Sequence, residues 1–204
     1  MPRSRILSDD TVLEGATSVF WRSGYAGTSL RDLTQATGLS AAALYHRFKD
    51  KDGLFTAVLR HYAQGGLTER LTRLSSEADP VGAIREFLNE LIALSLGDPQ
   101  HRGCLLVNTA LDGAPLSRAA RDIVSERLAA IETFFAERLE QALAEGTLER
   151  PIDVRATATA LLGVVLAIRV MARIKPDAER LRALADHALA RLPIRAAQRR
   201  GARR

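Results

Sequence analysis

The most reactive side chain in this 204-residue chain is its single cysteine. Cys104 follows His101, Arg102 and Gly103 and opens an apolar stretch, and cationic neighbours at a helix start favour the thiolate that reacts with electrophiles or oxidants. The competing reading is a small, inert hydrophobe. His101 and Cys104 supply two potential metal ligands, but His46, His61 and His187 show no paired spacing, so no metal is expected. The chain carries no Gly-rich phosphate loop, no Gly-x-Ser-x-Gly elbow and no His-Glu-x-x-His motif. Glu137, Glu140 and Glu145 fall on a solvated helix face. No catalytic residue, no cofactor and no enzymatic activity is expected.

These residues must be carried by helices. Prolines at 80, 99, 115, 151, 176 and 193 separate segments rich in Ala, Leu, Glu and Arg, which are strong helix formers. Ile84, Phe87, Leu88, Leu91, Ile92 and Ser95 recur at three and four, as do Ile123, Leu128, Ile131, Phe134, Phe135, Leu139 and Leu143, the pattern of helices with one buried face. Helices are predicted over 9–23, 29–37, 40–47, 51–75, 80–97, 103–112, 116–145, 153–174 and 177–192. That is an all-α protein of about nine helices.

The net charge of +5 resides in a tail: from Arg195 on there are five arginines and no acid, and the remainder holds 24 bases against 24 acids. Charge alone therefore makes no case for nucleic acid. The most apolar run, 156–171, is interrupted by Thr157, Thr159, Gly163 and Arg169, which disfavours a membrane span. The N-terminus lacks an apolar secretory segment, and one cysteine cannot build a disulfide framework, so a cytoplasmic location is expected.

Within the first 55 residues, three helix signals lie close together. Val12, Ala16, Val19 and Phe20 form one stripe ending at Gly24. Ser29 can cap a two-turn helix with Asp32 three positions on, and Gly38-Leu39-Ser40 makes a tight turn whose serine caps the next helix. Leu33, Leu39, Leu44 and Phe48 are spaced to share a small core. Two short helices joined by a glycine-containing turn meet the requirements of a helix-turn-helix.

Thr28-Ser29-Leu30, Gly38-Leu39-Ser40, Leu44-Tyr45-His46-Arg47-Phe48 and Lys51-Asp52-Gly53-Leu54-Phe55 together resemble the DNA-binding signature of the TetR (tetracycline-repressor) family over residues 10–58. The resemblance implies an N-terminal three-helix DNA-binding domain over 1–55 and an effector-binding and dimerisation domain over 56–193, and the run of arginines past Pro193 reads as a basic, flexible tail over 194–204. The resemblance also implies that Thr28 and Ser29 hold phosphate at a helix N-terminus, that Ser40, Ala41, Ala42, Ala43, Tyr45 and His46 face the DNA, and that Lys51 holds a further phosphate. Alanines at 41–43 can offer only methyl contacts, which shifts sequence choice to Tyr45, His46, shape readout and Arg31. Gly15, Thr34 and Thr37 stand where alanine is usual in the family, so looser packing of the first two helices is expected.

The family resemblance further implies a homodimer on a palindromic operator, released by a small-molecule effector. The segment 160–171 is apolar almost all round, which suggests a second buried face in a dimer through helices 153–174 and 177–192. The alternative is a central helix in a monomer. Cys104, Asn108, Asp112, Phe134, Phe135 and Arg169 are the candidate effector wall, against the plainer reading that the polar groups bridge helices and the phenylalanines are core. Gly103-Cys104-Leu105 also resembles the corresponding stretch of family members that sense electrophiles, so modification of Cys104 is an alternative trigger.

Overall fold

A computed structural model describes residues 7–112, 116–149 and 151–195. Ten helices follow one another: α1 (Asp9–Gly27), α2 (Leu30–Thr37), α3 (Ala41–Phe48), α4 (Lys51–Gln64), α5 (Leu67–Ser75), α6 (Pro80–Leu96), α7 (Leu105–Leu111), α8 (Arg118–Ala144), α9 (Val154–Ile174) and α10 (Ala178–Ala190). Among the described residues there is no strand, only one isolated bridge between Leu148 and Ile194. The all-α expectation holds. The segment expected as one helix over 51–75 is two, because Gly65 and Gly66 each forfeit about 1 kcal/mol of helix propensity relative to alanine.

The chain divides into two compact units, one holding residues up to Gly66 with Cys104–Glu126, the other holding Leu67–Gly103 with Arg127 onward. The first unit extends past the boundary expected at residue 55. The reason is that α4 lends Leu54, Phe55, Val58 and Leu59 to the same core as Val12, Ala16, Val19 and Phe20, and α7 packs on both α1 and α4. The rings of Phe20 and Phe55 lie 4.8 Å apart, and Tyr25 stands 5.0 Å from Phe55.

Gly24 breaks α1 with a non-helical backbone (φ 69°, ψ 175°), so its regular part stops where the sequence suggested. Packing of α1 on α2 is tighter than expected. A Cβ at Gly15 would stand 2.6 Å from the Ala36 carbonyl oxygen, so the glycine permits a close approach that alanine would not.

In the second unit, α6 contributes Ile84, Phe87, Leu88, Leu91 and Ile92 to a core completed by Phe134, Phe135 and Leu139 of α8, Leu161, Val165 and Ile168 of α9, and Leu181, Ala185 and Leu189 of α10. Asp79 caps α6, its carboxylate accepting from the Val81 and Gly82 N–H groups, and Asp153 caps α9, accepting from the Ala156 N–H. A basic tail was expected from residue 194, but Ile194 and Arg195 pair back instead. The Glu149 N–H donates to the Pro193 carbonyl at 2.8 Å, and the Arg195 N–H donates to the Thr147 carbonyl at 3.0 Å. The rest of that expected tail, 196–204, lies outside the described residues.

By length and composition α9 is apolar enough to cross a membrane, with a mean hydropathy of 1.7, despite the interruptions noted in the sequence. Its inward stripe, Ala158, Leu161, Val165, Ile168 and Ala172, is buried within the second unit. Ala160 and Gly163 are exposed on its other side.

Candidate nucleic-acid interface

Short-range hydrogen bonds fix the helix-turn-helix. The Ser29 hydroxyl accepts from the Asp32 N–H at 3.2 Å while the Ser29 N–H donates to the Asp32 carboxylate at 3.0 Å, a reciprocal capping box. Hydrogen bonds from the Ser29 hydroxyl and backbone hold the Asp32 carboxyl below its ordinary pKa. At the other end of α2, Gly38 adopts the left-handed conformation (φ 70°) that closes a helix C-terminus, and Ser40 then accepts from the Ala43 N–H at 3.2 Å to start α3.

One side of α3 is anchored by Leu44, which is fully buried, with Leu39 and Phe48 half-buried beside it. Opposite, Tyr45 is 39% exposed and His46 is also exposed. Ala42 is open to solvent, Ala41 and Ala43 are half-buried, and Ser29 and Ser40 are exposed at the starts of α2 and α3. Helix starts with free N–H groups attract anions.

Two residues expected at phosphate make intramolecular contacts in the chain without DNA. Thr28 is only 2% exposed, and its hydroxyl donates to the Gly24 carbonyl at 2.7 Å. It is therefore a brace for the α1–α2 turn, not a surface group. Lys51 is half-buried, with its ammonium 4.6 Å from the centre of the Tyr25 ring, a cation–π contact. Burial, with the nearby Asp52 and Asp50 charges, raises the Tyr25 phenol above its ordinary pKa.

The joint after α3 is cramped. Lys49 has φ 74° and ψ −56°, and the Asp50 N–H donates to the Phe48 carbonyl at 2.9 Å, closing a γ-turn. A Cβ on Gly53 would sit 2.0 Å from that same carbonyl oxygen. The Asp50 side chain then caps α4 through the Gly53 N–H at 2.7 Å.

The six candidate effector residues do not fall in one unit. Cys104, Asn108 and Asp112 lie on or beside α7, in the unit that holds the helix-turn-helix, whereas Phe134, Phe135 and Arg169 lie in the other. The two phenylalanines are core, with centroids 5.5 Å and 5.3 Å from Phe87. Arg169 donates to the Ser95 hydroxyl at 3.1 Å. Asp112 accepts from the Tyr25 N–H at 3.0 Å and so braces the kink in α1. Cys104 is partly buried and accepts from the Tyr62 hydroxyl at 3.7 Å. Just before it, burial alone would raise the Asp98 carboxyl, but hydrogen bonds from Arg102 and Gln100 and the Arg102 charge outweigh this and hold its pKa low. Among the described residues no group of three or more His, Cys, Asp or Glu is gathered for a metal ion.

Sequence reasoning missed the brace made by Thr28, and it left open a bridging role for Asp112 without finding the partner. Asp112 and Tyr25 are 87 positions apart, and no local spacing signals such a pair.

A groove of about 830 Å³ runs between α9 and α10. Ala160, Leu161, Val164, Met171, Leu184 and Leu192 give it an apolar floor, and Arg180, His187 and Arg191 add cationic or titratable groups.

Comparison with known proteins agrees with this architecture. Residues 12–58 match the model of bacterial regulatory proteins of the tetR family, and residues 80–188 match the tetracyclin repressor-like C-terminal domain. The chain is 29% identical over 188 residues to the HTH-type transcriptional repressor ComR of Escherichia coli (strain K12), covering 92% of this chain and 90% of ComR. A solved structure of a cysteine-substituted TetR family regulator, CifR, complexed with 26-base-pair operator DNA is 35% identical, with a TM-score of 0.83, covering 94% of this chain and 100% of that one. The reduced form of Escherichia coli NemR shares the fold at 22% identity and a TM-score of 0.81, covering 92% of this chain and 97% of NemR. With both its N-terminal and C-terminal portions matched, the chain belongs to the TetR family of bacterial transcriptional regulators.

Proposed function

We propose that the chain is a transcriptional repressor that binds a palindromic operator as a homodimer and lets go when a small molecule enters its C-terminal helical domain. The observation that carries this reading is the helix-turn-helix: α3 is held by buried Leu44 while Tyr45, His46 and the capped starts of α2 and α3 stay open to solvent. A reading helix anchored on one side and bare on the other is what major-groove docking requires. Operator DNA in the CifR complex and the repressor role of ComR support it.

Ser29, Ser40, Ala41, Ala42, Ala43, Tyr45 and His46 form the DNA face, and Lys51 joins it by leaving the Tyr25 ring for a phosphate. The α9–α10 groove receives the same groove of a second copy, so that the two reading helices address two half-sites. Covering the groove this way also accounts for the second apolar side of α9 without a membrane. The protein works in the cytoplasm and does no catalysis.

A second trigger, modification of Cys104, is favoured by one contact, the Tyr62 hydroxyl at its sulfur. Cys104→Ser separates the two: release by an electrophile vanishes in the variant, whereas release by a reversibly bound ligand persists. The reading as a whole is tested by selecting from random duplexes at about physiological salt. A palindromic consensus is expected, and retention without sequence preference would refute it.

A further inference from the structure

A basic side chain on a reading helix is ordinarily assigned to phosphate, and Arg47 sits in the last turn of α3. Its geometry says otherwise. The terminal nitrogen Nη2 donates to the Leu7 carbonyl at 2.9 Å and lies 2.5 Å from the Asp9 carboxylate. Leu7 just precedes α1, and Asp9 opens its first turn.

Helix geometry explains the direction. At about 100° per residue, Arg47 lies roughly 60° from buried Leu44 and roughly 160° from exposed Tyr45. The side chain is thus set on the flank of α3 that turns towards the body of the unit. It is 28% exposed, and its charge is met by a carboxylate. The principal packing partners of α3 are α2 and α4. The Arg47 contacts add a tie to the start of α1.

We propose that Arg47 is a positioning residue for operator binding: with Asp9 and the Leu7 carbonyl it latches the C-terminal end of the reading helix to the start of α1, and it does not hold phosphate. The proposal rests on the operator reading above. The latch fixes the angle at which Tyr45 and His46 meet the groove. A planar guanidinium that serves a carbonyl and a carboxylate together suits this task better than an ammonium would.

The test compares Arg47→Ala, Asp9→Asn, the double variant and the control Asp10→Asn, all in the full-length chain against the selected duplex over a range of salt. Asp10→Asn removes another carboxylate from the same first turn, one that faces His61 Nδ1 at 3.8 Å rather than Arg47, so it reports the loss of a neighbouring negative charge without touching the latch. Arg47→Ala is expected to weaken binding about fivefold at fixed salt, with no change in the slope of log K against log salt. Asp9→Asn should weaken binding relative to Asp10→Asn, and the double variant should be no worse than Arg47→Ala.

A slope lower by about one unit in Arg47→Ala would mark a direct phosphate contact and overturn the latch. So would equal binding by Asp9→Asn and Asp10→Asn. Thermal unfolding of the same four proteins keeps this question apart from the operator reading: non-additivity of the Arg47 and Asp9 changes is expected, and strict additivity would refute the latch even if DNA binding held. If the wild-type chain showed no duplex preference while the unfolding cycle stayed non-additive, the operator reading would fail and the latch would remain only as a structural tie.

Discussion

Both compact units have a buried apolar core, but they differ in the length of the helices that carry it and in how far those helices depend on their ends. In the first, α2 and α3 are eight residues each, too short to persist on their own, and besides buried Leu33 and Leu44 they are fixed at their ends by Ser29 with Asp32, Gly38 and Ser40. In the second, helices of 17 and 21 residues are held by a continuous apolar core, and polar groups serve mainly at their ends. Caps leave side chains free to meet a partner, whereas apolar packing consumes them. A regulator can therefore display its DNA-facing residues on short elements and place its dimer-forming surface on long ones.

The largest test of this contrast lies in the second unit. Phe135 is fully buried, so Phe135→Ala should lower unfolding stability by about 3–5 kcal/mol, read by denaturant unfolding. A near-neutral change accompanied by an altered effector response would return Phe135 to a pocket wall.

Next comes the joint between α3 and α4. Gly53→Ala would press a methyl group against the Phe48 carbonyl and should cost about 1–3 kcal/mol in stability, with weaker DNA binding as α3 shifts. Circular dichroism melts and duplex titrations check both, and an unperturbed variant would show that the joint relaxes freely.

At Gly163 the expected effect is on assembly alone. A Cβ there meets nothing within 4 Å, so Gly163→Leu should leave the folded chain intact and shift the dimer towards monomer, measured by sedimentation. A variant that stayed dimeric would move the interface off this part of α9.

The smallest effect concerns pH. The Asp32 carboxyl titrates below its unfolded value because of its Ser29 hydrogen bonds. Its contribution is therefore complete above the ordinary carboxylate range and fades as pH falls through the lowered folded value. Ser29→Ala should remove that share of the acid dependence of unfolding, and an unchanged acid limb would mean that the box adds nothing measurable.

Much of the first unit was legible in the sequence because its determinants are three or four residues apart. Ser29 to Asp32 and Ser40 to Ala43 are capping distances, and Gly38 marks its own turn. Whatever depends on distant partners was not. The hydroxyl of Thr28 looks available for phosphate until Gly24 is seen to bend the chain over it, and Asp112 looks like a ligand until it meets the Tyr25 N–H. In the second unit, periodicity marked Phe134 and Phe135 as inward-facing but could not distinguish a pocket wall from core. The break at Gly65-Gly66 was visible in the residues and hidden by the apolar periodicity on either side.

The central claim is a dimer presenting two copies of one reading face. Its most direct test is the affinity of the wild-type chain for the selected palindrome against a duplex carrying one half-site, with stoichiometry measured in both. The account predicts two chains on the palindrome and binding tighter by about a hundredfold or more, since linked half-sites act at high effective concentration. Equal affinity for the two duplexes, with one chain on each, would contradict it.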